Sequence, residues 1–275
     1  VVSASSPLAS DARGVHVGSG KGRPEDTLAF WRGCLHEPLY ELAHRYLGAV
    51  EPALHARIGS YGALAGPARH IVRAGGKRIR ALILMAVCEA GGGDWRTAVD
   101  AAVAIELIHT ASLIHDDVID GTEDRRGVPS VHVRFGPAAA LLTGDLFCFD
   151  AFLLAARVPE AAAVLAAACK EMCLGEAMVE GQCVAEMKTA SLFGAAAEVG
   201  ALAAGVNDRR RAMCRAYGRH LGTAFQLRDD QIDEEGTADP APYALQAQAS
   251  LADMPPSAAR VLLMALPLEA VRRNV

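Results

Sequence analysis

LIHTASLIHDDVIDGTEDRRG, residues 107–127, is an apolar helical run that closes on three aspartates and then meets two arginines. On a helix Asp116 and Asp120 are four apart and share a face, while Asp117 sits about 100° round. Two carboxylates facing one way are half of a cation site. The other half stands at residues 225–233, FQLRDDQID, where Asp229, Asp230 and Asp233 repeat the DDxxD spacing at the end of a second apolar run. One such cluster alone is commonly a solvated helix end. Two clusters brought together without a cation repel, each like-charge pair about 4 Å apart costing roughly 4 kcal/mol at an effective dielectric of 20. Hard oxygen donors with no neighbouring thiolate, and arginines alongside, point to Mg²⁺ carrying a phosphate-bearing ligand, because Mg²⁺ seldom takes an all-protein cage and uses substrate phosphates as ligands.

Composition sets the frame for these clusters. Of the 275 residues 52% are hydrophobic but only 5% aromatic, so alanine, leucine and valine carry the apolar surface, which favours closely packed helices over a β-sandwich. The expected fold is all-α, a flexible arm over residues 1–24 followed by a single domain over 25–275. A net charge of −5 leaves no basic stripe for a nucleic-acid backbone. The seven cysteines are odd in number and form no CxxC pair; they read as buried hydrophobes in a reducing cytosol. The first residues lack the charged start and apolar core of a secretory leader. The most apolar run, residues 138–156, is interrupted by Asp145 and Asp150, so no transmembrane segment is expected.

Helical periodicity starts near Glu25, breaks around residues 59–67, and resumes over 68–90, 95–119, 137–157, 159–181, 185–204 and 209–233, with no convincing alternating strand. The GSGKG run at 18–22 lacks the Ser or Thr and the leading glycine of a phosphate loop and reads as linker. With four lysines against twenty-three arginines, each lysine position carries some information. GGKRIR at 75–80 puts Lys77 and Arg80 three apart, on one helical face, behind two glycines that let backbone amides approach a ligand, an arrangement suited to a diphosphate. Arg125 and Arg126 either neutralise the first acidic cluster or grip a bound phosphate. His109 lies seven residues before Asp116 on nearly the same face, Lys188 and Thr189 lead towards the second cluster, and Gln226 stands three before Asp229. Each of these has an ordinary reading as a core or surface residue.

GGKRIR, LIHDDVID followed by RRG, the GD of LLTGDLF, KTASLF and FQLRDDQID occur in the order found in the trans-isoprenyl diphosphate synthases, or polyprenyl synthetases, and the chain resembles that family, in its geranylgeranyl or longer-chain members, over most of residues 75–233. The resemblance implies helices around a deep central cavity, a homodimer, and condensation of isopentenyl diphosphate with an allylic diphosphate. It implies that Asp116, Asp120 and Asp229 bind Mg²⁺, with Asp117, Asp230 and Asp233 in support. It places Arg125, Lys188, Thr189 and Gln226 around the allylic substrate, and Lys77, Arg80, His109 and Arg126 on the isopentenyl diphosphate. It makes Ser112 and Ala111, four and five residues before Asp116, the chain-length wall, with Phe147 deeper as a floor. Two features depart from the family pattern: the lysine-rich loop expected after the second DDxxD does not follow it, residues 239–245 running on as DPAPYAL, and GQC at 181–183 joins EMKTA without the usual connection. Either the protein is trimmed at both places or two loops are missing from this sequence, the second being expected because both gaps fall where a substrate-ordered loop would lie. The competing readings are a regulatory or inactive subunit of a heteromeric synthase, which should lack one acidic cluster, and a class I terpene cyclase, which should lack a second DDxxD.

Overall fold

The computed structural model describes residues 24–178, 186–233 and 236–272. The GSGKG arm and the GQC run lie outside them. Twelve α-helices follow in order among the described residues: α1 (Pro24–Cys34), α2 (Glu37–Ile58), α3 (Ala65–Arg73), α4 (Ile79–Ala90), α5 (Val99–Ile119), α6 (Val131–Phe135), α7 (Pro137–Ala155), α8 (Ala161–Glu176), α9 (Ser191–Ala203), α10 (Asp208–Ile232), α11 (Ala241–Ala249) and α12 (Ala258–Arg272). The expected all-α architecture is present. A two-residue hairpin, β1 (Asp124–Arg125) against β2 (Val128–Pro129), turns the chain between α5 and α6.

Helices α4, α5 and α9 form the core. Every residue of α4 except Arg80 and Glu89 is buried, as is α9 from Ser191 to Ala201. Small residues make this density possible. A Cβ on Gly200 would lie 2.4 Å from the Leu84 carbonyl oxygen, and one on Gly218 would lie 2.2 Å from that of Phe193, so α4, α9 and α10 pack backbone to backbone. Such spacing needs alanine and glycine, which is why the chain is apolar yet poor in aromatics.

Most helix ends fall within a few residues of where periodicity placed them. One local expectation is corrected: Lys77 and Arg80 do not share a helical face, because Arg78 adopts a left-handed backbone (φ 51°) and α4 begins only at Ile79. Two buried carboxylates hold that conformation, Arg78 Nε donating to Glu51 at 2.7 Å and Arg78 Nη1 lying 3.7 Å from Glu106.

Among the described residues two segments are long and apolar enough to cross a membrane, residues 95–119 and 137–155, with 67% and 44% of the relevant window buried. The first is the core helix α5 with the short 3-10 turn Trp95–Ala98 before it. The second, α7, buries one face and leaves Leu142, Phe149 and Leu153 exposed on the other.

Candidate active site

The carboxyl-terminal halves of α5 and α10, the loop before α4 and the hairpin all open on one cavity of about 1880 Å³. At one end stands the cationic group. Lys77, Arg80, His109 and Arg126 all line the cavity there. Gly76 lets Arg126 in, since a Cβ on Gly76 would lie 2.8 Å from Arg126 Nη1. Arg80 packs its guanidinium 4.4 Å from the Phe193 ring centre, and its buried Nε has no hydrogen-bond partner. Burial, with Arg126 nearby, lowers the Arg80 pKa to about 10; burial and the charge of Arg78 lower Arg126 to about 10 as well. Both remain cations at neutral pH, Arg80 half-buried and Arg126 exposed at the cavity. Burial and then the Arg80 and Arg126 charges drive the His109 imidazole well below its ordinary value, so it is neutral there. Neighbouring like charges with a buried orphan donor make a receptor for an anion.

Helix α1 roofs this end. Thr27 Oγ1 donates to the Gly76 carbonyl at 2.7 Å and Trp31 Nε1 to that of Lys77 at 2.8 Å, while Lys77 Nζ lies 4.8 Å from the Phe30 ring centre. Nothing in the local sequence of α1 announced this contact, which bridges 46 to 49 residues of chain.

The acidic end is asymmetric. Asp116, Asp229 and Asp233 line the cavity; Asp117, Asp120 and Asp230 do not. Asp117 is 1% exposed and takes two hydrogen bonds from Arg125. Of the two sequence alternatives for the arginines, Arg125 neutralises the cluster and Arg126 sits at the anion end. Asp120 caps α5, its backbone N–H bonding Asp116. Across the cavity Thr189 Oγ1 donates to Gln226 Oε1 and Gln226 Nε2 to Asp230 Oδ1, both at 2.7 Å. Three expected site residues thus form one chain that ties the π-helical turn Glu186–Ala190 to α10.

Lys188 lies between Glu176 at 2.5 Å and Asp116 at 3.8 Å. Burial opposes its charge, but Glu176 and Asp116 raise the ammonium above the ordinary lysine value. Burial also pushes Asp116 up to about 6, with Lys188 opposing and Glu176 adding to the rise. Glu176 was not legible as a site residue; nor was Glu106, although a single carboxylate in the apolar run VAIELIHT was a signal. The GD pair has a local role too. Gly144 makes room for His115, whose Nε2 would lie 2.2 Å from a Cβ there, and Asp145 sits 3.6 Å from that nitrogen.

Among the described residues no three acidic, histidine or cysteine side chains converge tightly enough to hold a metal ion by themselves. The donor set nevertheless fits a hard cation that arrives with phosphate oxygens and takes only one or two carboxylates from the protein. Asp116 and Asp229, on opposite walls, are placed to supply them.

Of the expected chain-length wall only Ser112 lines the cavity. Ala111 is buried at 1% and Phe147 at 0% exposure, the latter with its ring centre 5.8 Å from that of Tyr61 at a tilt of 52°, and both stand behind the wall in the core. The apolar wall facing Ser112 is made instead by Cys148 on α7 and Cys169, Met172 and Cys173 on α8.

The polyprenyl synthetase family profile matches residues 62–241. The chain belongs to the polyprenyl synthetase family. A geranylgeranyl diphosphate synthase of Methanosarcina mazei is 39% identical over 184 residues, covering 60% of this chain and 57% of that protein. Heptaprenyl diphosphate synthase component 2 of Geobacillus stearothermophilus is 35% identical over 214 residues, covering 72% and 67%. The crystal structure of a polyprenyl synthase from Caulobacter crescentus, complexed with calcium and isoprenyl diphosphate, superposes with a TM-score of 0.80 at 27% identity, covering 94% of this chain and all of that one. The chain therefore spans little more than half the length of its Methanosarcina relative. Within the polyprenyl synthetase frame the two ends of the cavity correspond to GGKRIR with RRG and to the two DDxxD motifs.

Proposed function

We propose that the protein is a Mg²⁺-dependent prenyltransferase that condenses isopentenyl diphosphate head-to-tail with an allylic diphosphate and releases diphosphate, giving a geranylgeranyl-class or longer trans-polyprenyl diphosphate. The observation that carries this reading is a single cavity lined by a cationic group, by carboxylates of both DDxxD motifs and by an apolar wall. Two diphosphates can be held at the charged groups while their hydrocarbon portions lie against the apolar wall.

Lys77, Arg80 and Arg126 bind the isopentenyl diphosphate, Arg80 through its unpartnered Nε. Lys188 and the Thr189–Gln226–Asp230 chain orient the allylic diphosphate beside Asp116 and Asp229. Mg²⁺, when bound by those carboxylates, supplies positive charge to the departing diphosphate. As the allylic carbon–oxygen bond breaks, Lys188 shifts from Glu176 towards the oxygens that gain charge. The isopentenyl double bond attacks the allylic carbon, and the proton lost from the product passes to the released diphosphate. The apolar wall around Ser112 and Cys148 keeps water from the cationic carbon.

Small side chains at Ser112 and Cys148 leave the cavity open beyond the allylic position, which supports a product longer than farnesyl. The exposed apolar row on α7 supports a homodimer, and an odd number of cysteines with no CxxC pair supports a cytoplasmic location. The Geobacillus relative named as a component of a synthase favours a second reading, a subunit of a heteromeric enzyme. Asp116→Ala and Asp229→Ala test the main proposal: each removes most turnover with the helical content unchanged, by circular dichroism. Near-normal turnover in either variant contradicts it.

A further inference from the structure

Outside the main cavity a groove of about 420 Å³ runs between the end of α3 and α6. Arg69, His70 and Arg73 face it from α3, Arg134 and Phe135 from α6, and none of the described residues lining it is acidic. None of the three arginines forms an ion pair with a carboxylate among the described residues, although the chain as a whole carries a net charge of −5. Cations in the last turn of a helix compensate its dipole, which accounts for Arg73. It does not account for Arg69, four residues earlier on the same face as a like charge, or for Arg134 arriving from another helix.

Arg134 is also held in place. His70 Nε2 lies 2.6 Å from the Pro129 carbonyl oxygen, which can only accept, so that nitrogen carries the hydrogen. His70 Nδ1 is then a lone pair, and it accepts from Arg134 Nη1 at 3.1 Å. The Arg134 guanidinium lies 5.4 Å from the Phe135 ring centre, and the Phe135 and His70 rings meet edge to face at 5.5 Å. A neutral histidine and an aromatic ring thus aim a guanidinium into a groove where two more guanidiniums already stand. The arrangement has the logic of the cationic end of the main cavity, repelling charges awaiting an anion, but on separate residues.

We propose that this groove is a second anion site, which takes a phosphate or diphosphate group. Three forked donors match the oxygens of such a group, and Val128 and Phe135 offer an apolar side to whatever carries it. The groove shares Ala74 with the main cavity, and Val128 follows directly on Arg126 and Gly127, which line that cavity. An occupant therefore bears on both segments that hold Lys77 and Arg126, so the site is placed to couple anion binding to the diphosphate end of the main cavity.

The test is calorimetric titration of the whole protein with inorganic diphosphate in the absence of metal, at an ionic strength where charges are screened beyond about 8 Å. Wild type is expected to bind at two sites. Arg69→Gln/Arg73→Gln, at exposed positions, should keep its melting temperature and lose one site, its affinity falling about tenfold for each charged donor removed. Arg126→Gln should weaken the other site and leave the groove intact. Co-sedimentation with phosphatidylcholine vesicles, with and without phosphatidylglycerol, distinguishes the source of the phosphate: binding lost in the double variant only on the anionic vesicles assigns the group to a lipid headgroup. If the double variant binds both diphosphate and anionic vesicles as wild type does, the groove is not an anion site. Turnover is not a readout here, so a failure of the prenyltransferase reading and a failure of this one are separable.

Discussion

Asp117 and Asp116 are adjacent in the chain and opposite in circumstance. Asp116 lines the cavity, whereas Asp117 is buried and bonded to Arg125. Removing Asp117 strands a partly buried guanidinium, so Asp117→Ala should destabilise the protein by about 1–3 kcal/mol, while Asp116→Ala, which removes a carboxylate already disfavoured by burial, should leave the melting temperature unchanged or raised. Paired thermal melts check this, and equal losses would show that the two aspartates are not divided in this way. The sequence displayed both carboxylates and both arginines but not their pairing, since that depends on the hairpin folding Arg125 back onto α5. His109 gives a pH prediction. Its folded pKa lies below the ordinary 6.5, so its stabilising contribution is complete above 6.5 and is lost as pH falls below that value, by about 1.4 kcal/mol per pH unit. Stability measured against pH should fall more steeply in wild type than in His109→Gln below 6.5; parallel curves would mean that His109 is not held neutral in the fold.

At the scale of elements, the legible features were those written locally. Apolar periodicity located α5, α7 and α10, and the DDxxD runs located their functional ends. The bend before α4 was not legible because nothing about an arginine announces φ 51°; Glu51 and Glu106, 27 and 28 residues away, stabilise it. That Ala111 stands behind the cavity wall was not legible for a related reason. Ala111 and Ser112 are 100° apart on a helix, and only packing against α7 decides which of them meets the cavity. The product ruler is proposed to be Ser112 with Cys148, which line the cavity: Cys148→Phe should shorten the product, and Ala111→Phe should cost stability, about 1–3 kcal/mol for overpacking a filled core, more than it changes product length. Product distributions and melts of the two variants decide it, the reverse pattern restoring Ala111 to the wall. Close helix packing gives a further check. Gly218→Ala sets a Cβ against the Phe193 carbonyl and should lower the melting temperature by several degrees, for a loss of about 1–3 kcal/mol; an unchanged melt would contradict the backbone contact between α9 and α10.

For the whole molecule, the exposed row Leu142, Phe149 and Leu153 on α7 is the surface on which a second copy is proposed to sit. Phe149→Asp with Leu153→Asp should convert a dimer to a monomer in light scattering without a change in helical content, and a variant that still dimerises would place the interface elsewhere. Lys188 is the cation bridging α8 and the first acidic cluster. The account thus rests on the proposal that the cavity performs chain elongation with Lys77, Arg80, Arg126 and Lys188 as its cations. Its most direct test is to incubate the purified protein with isopentenyl diphosphate, an allylic diphosphate and Mg²⁺, and to weigh the products. The account predicts prenyl diphosphates heavier than the allylic substrate by whole isoprene units, abolished by chelating the metal; recovery of the allylic substrate unchanged, or as a cyclised hydrocarbon, would contradict it.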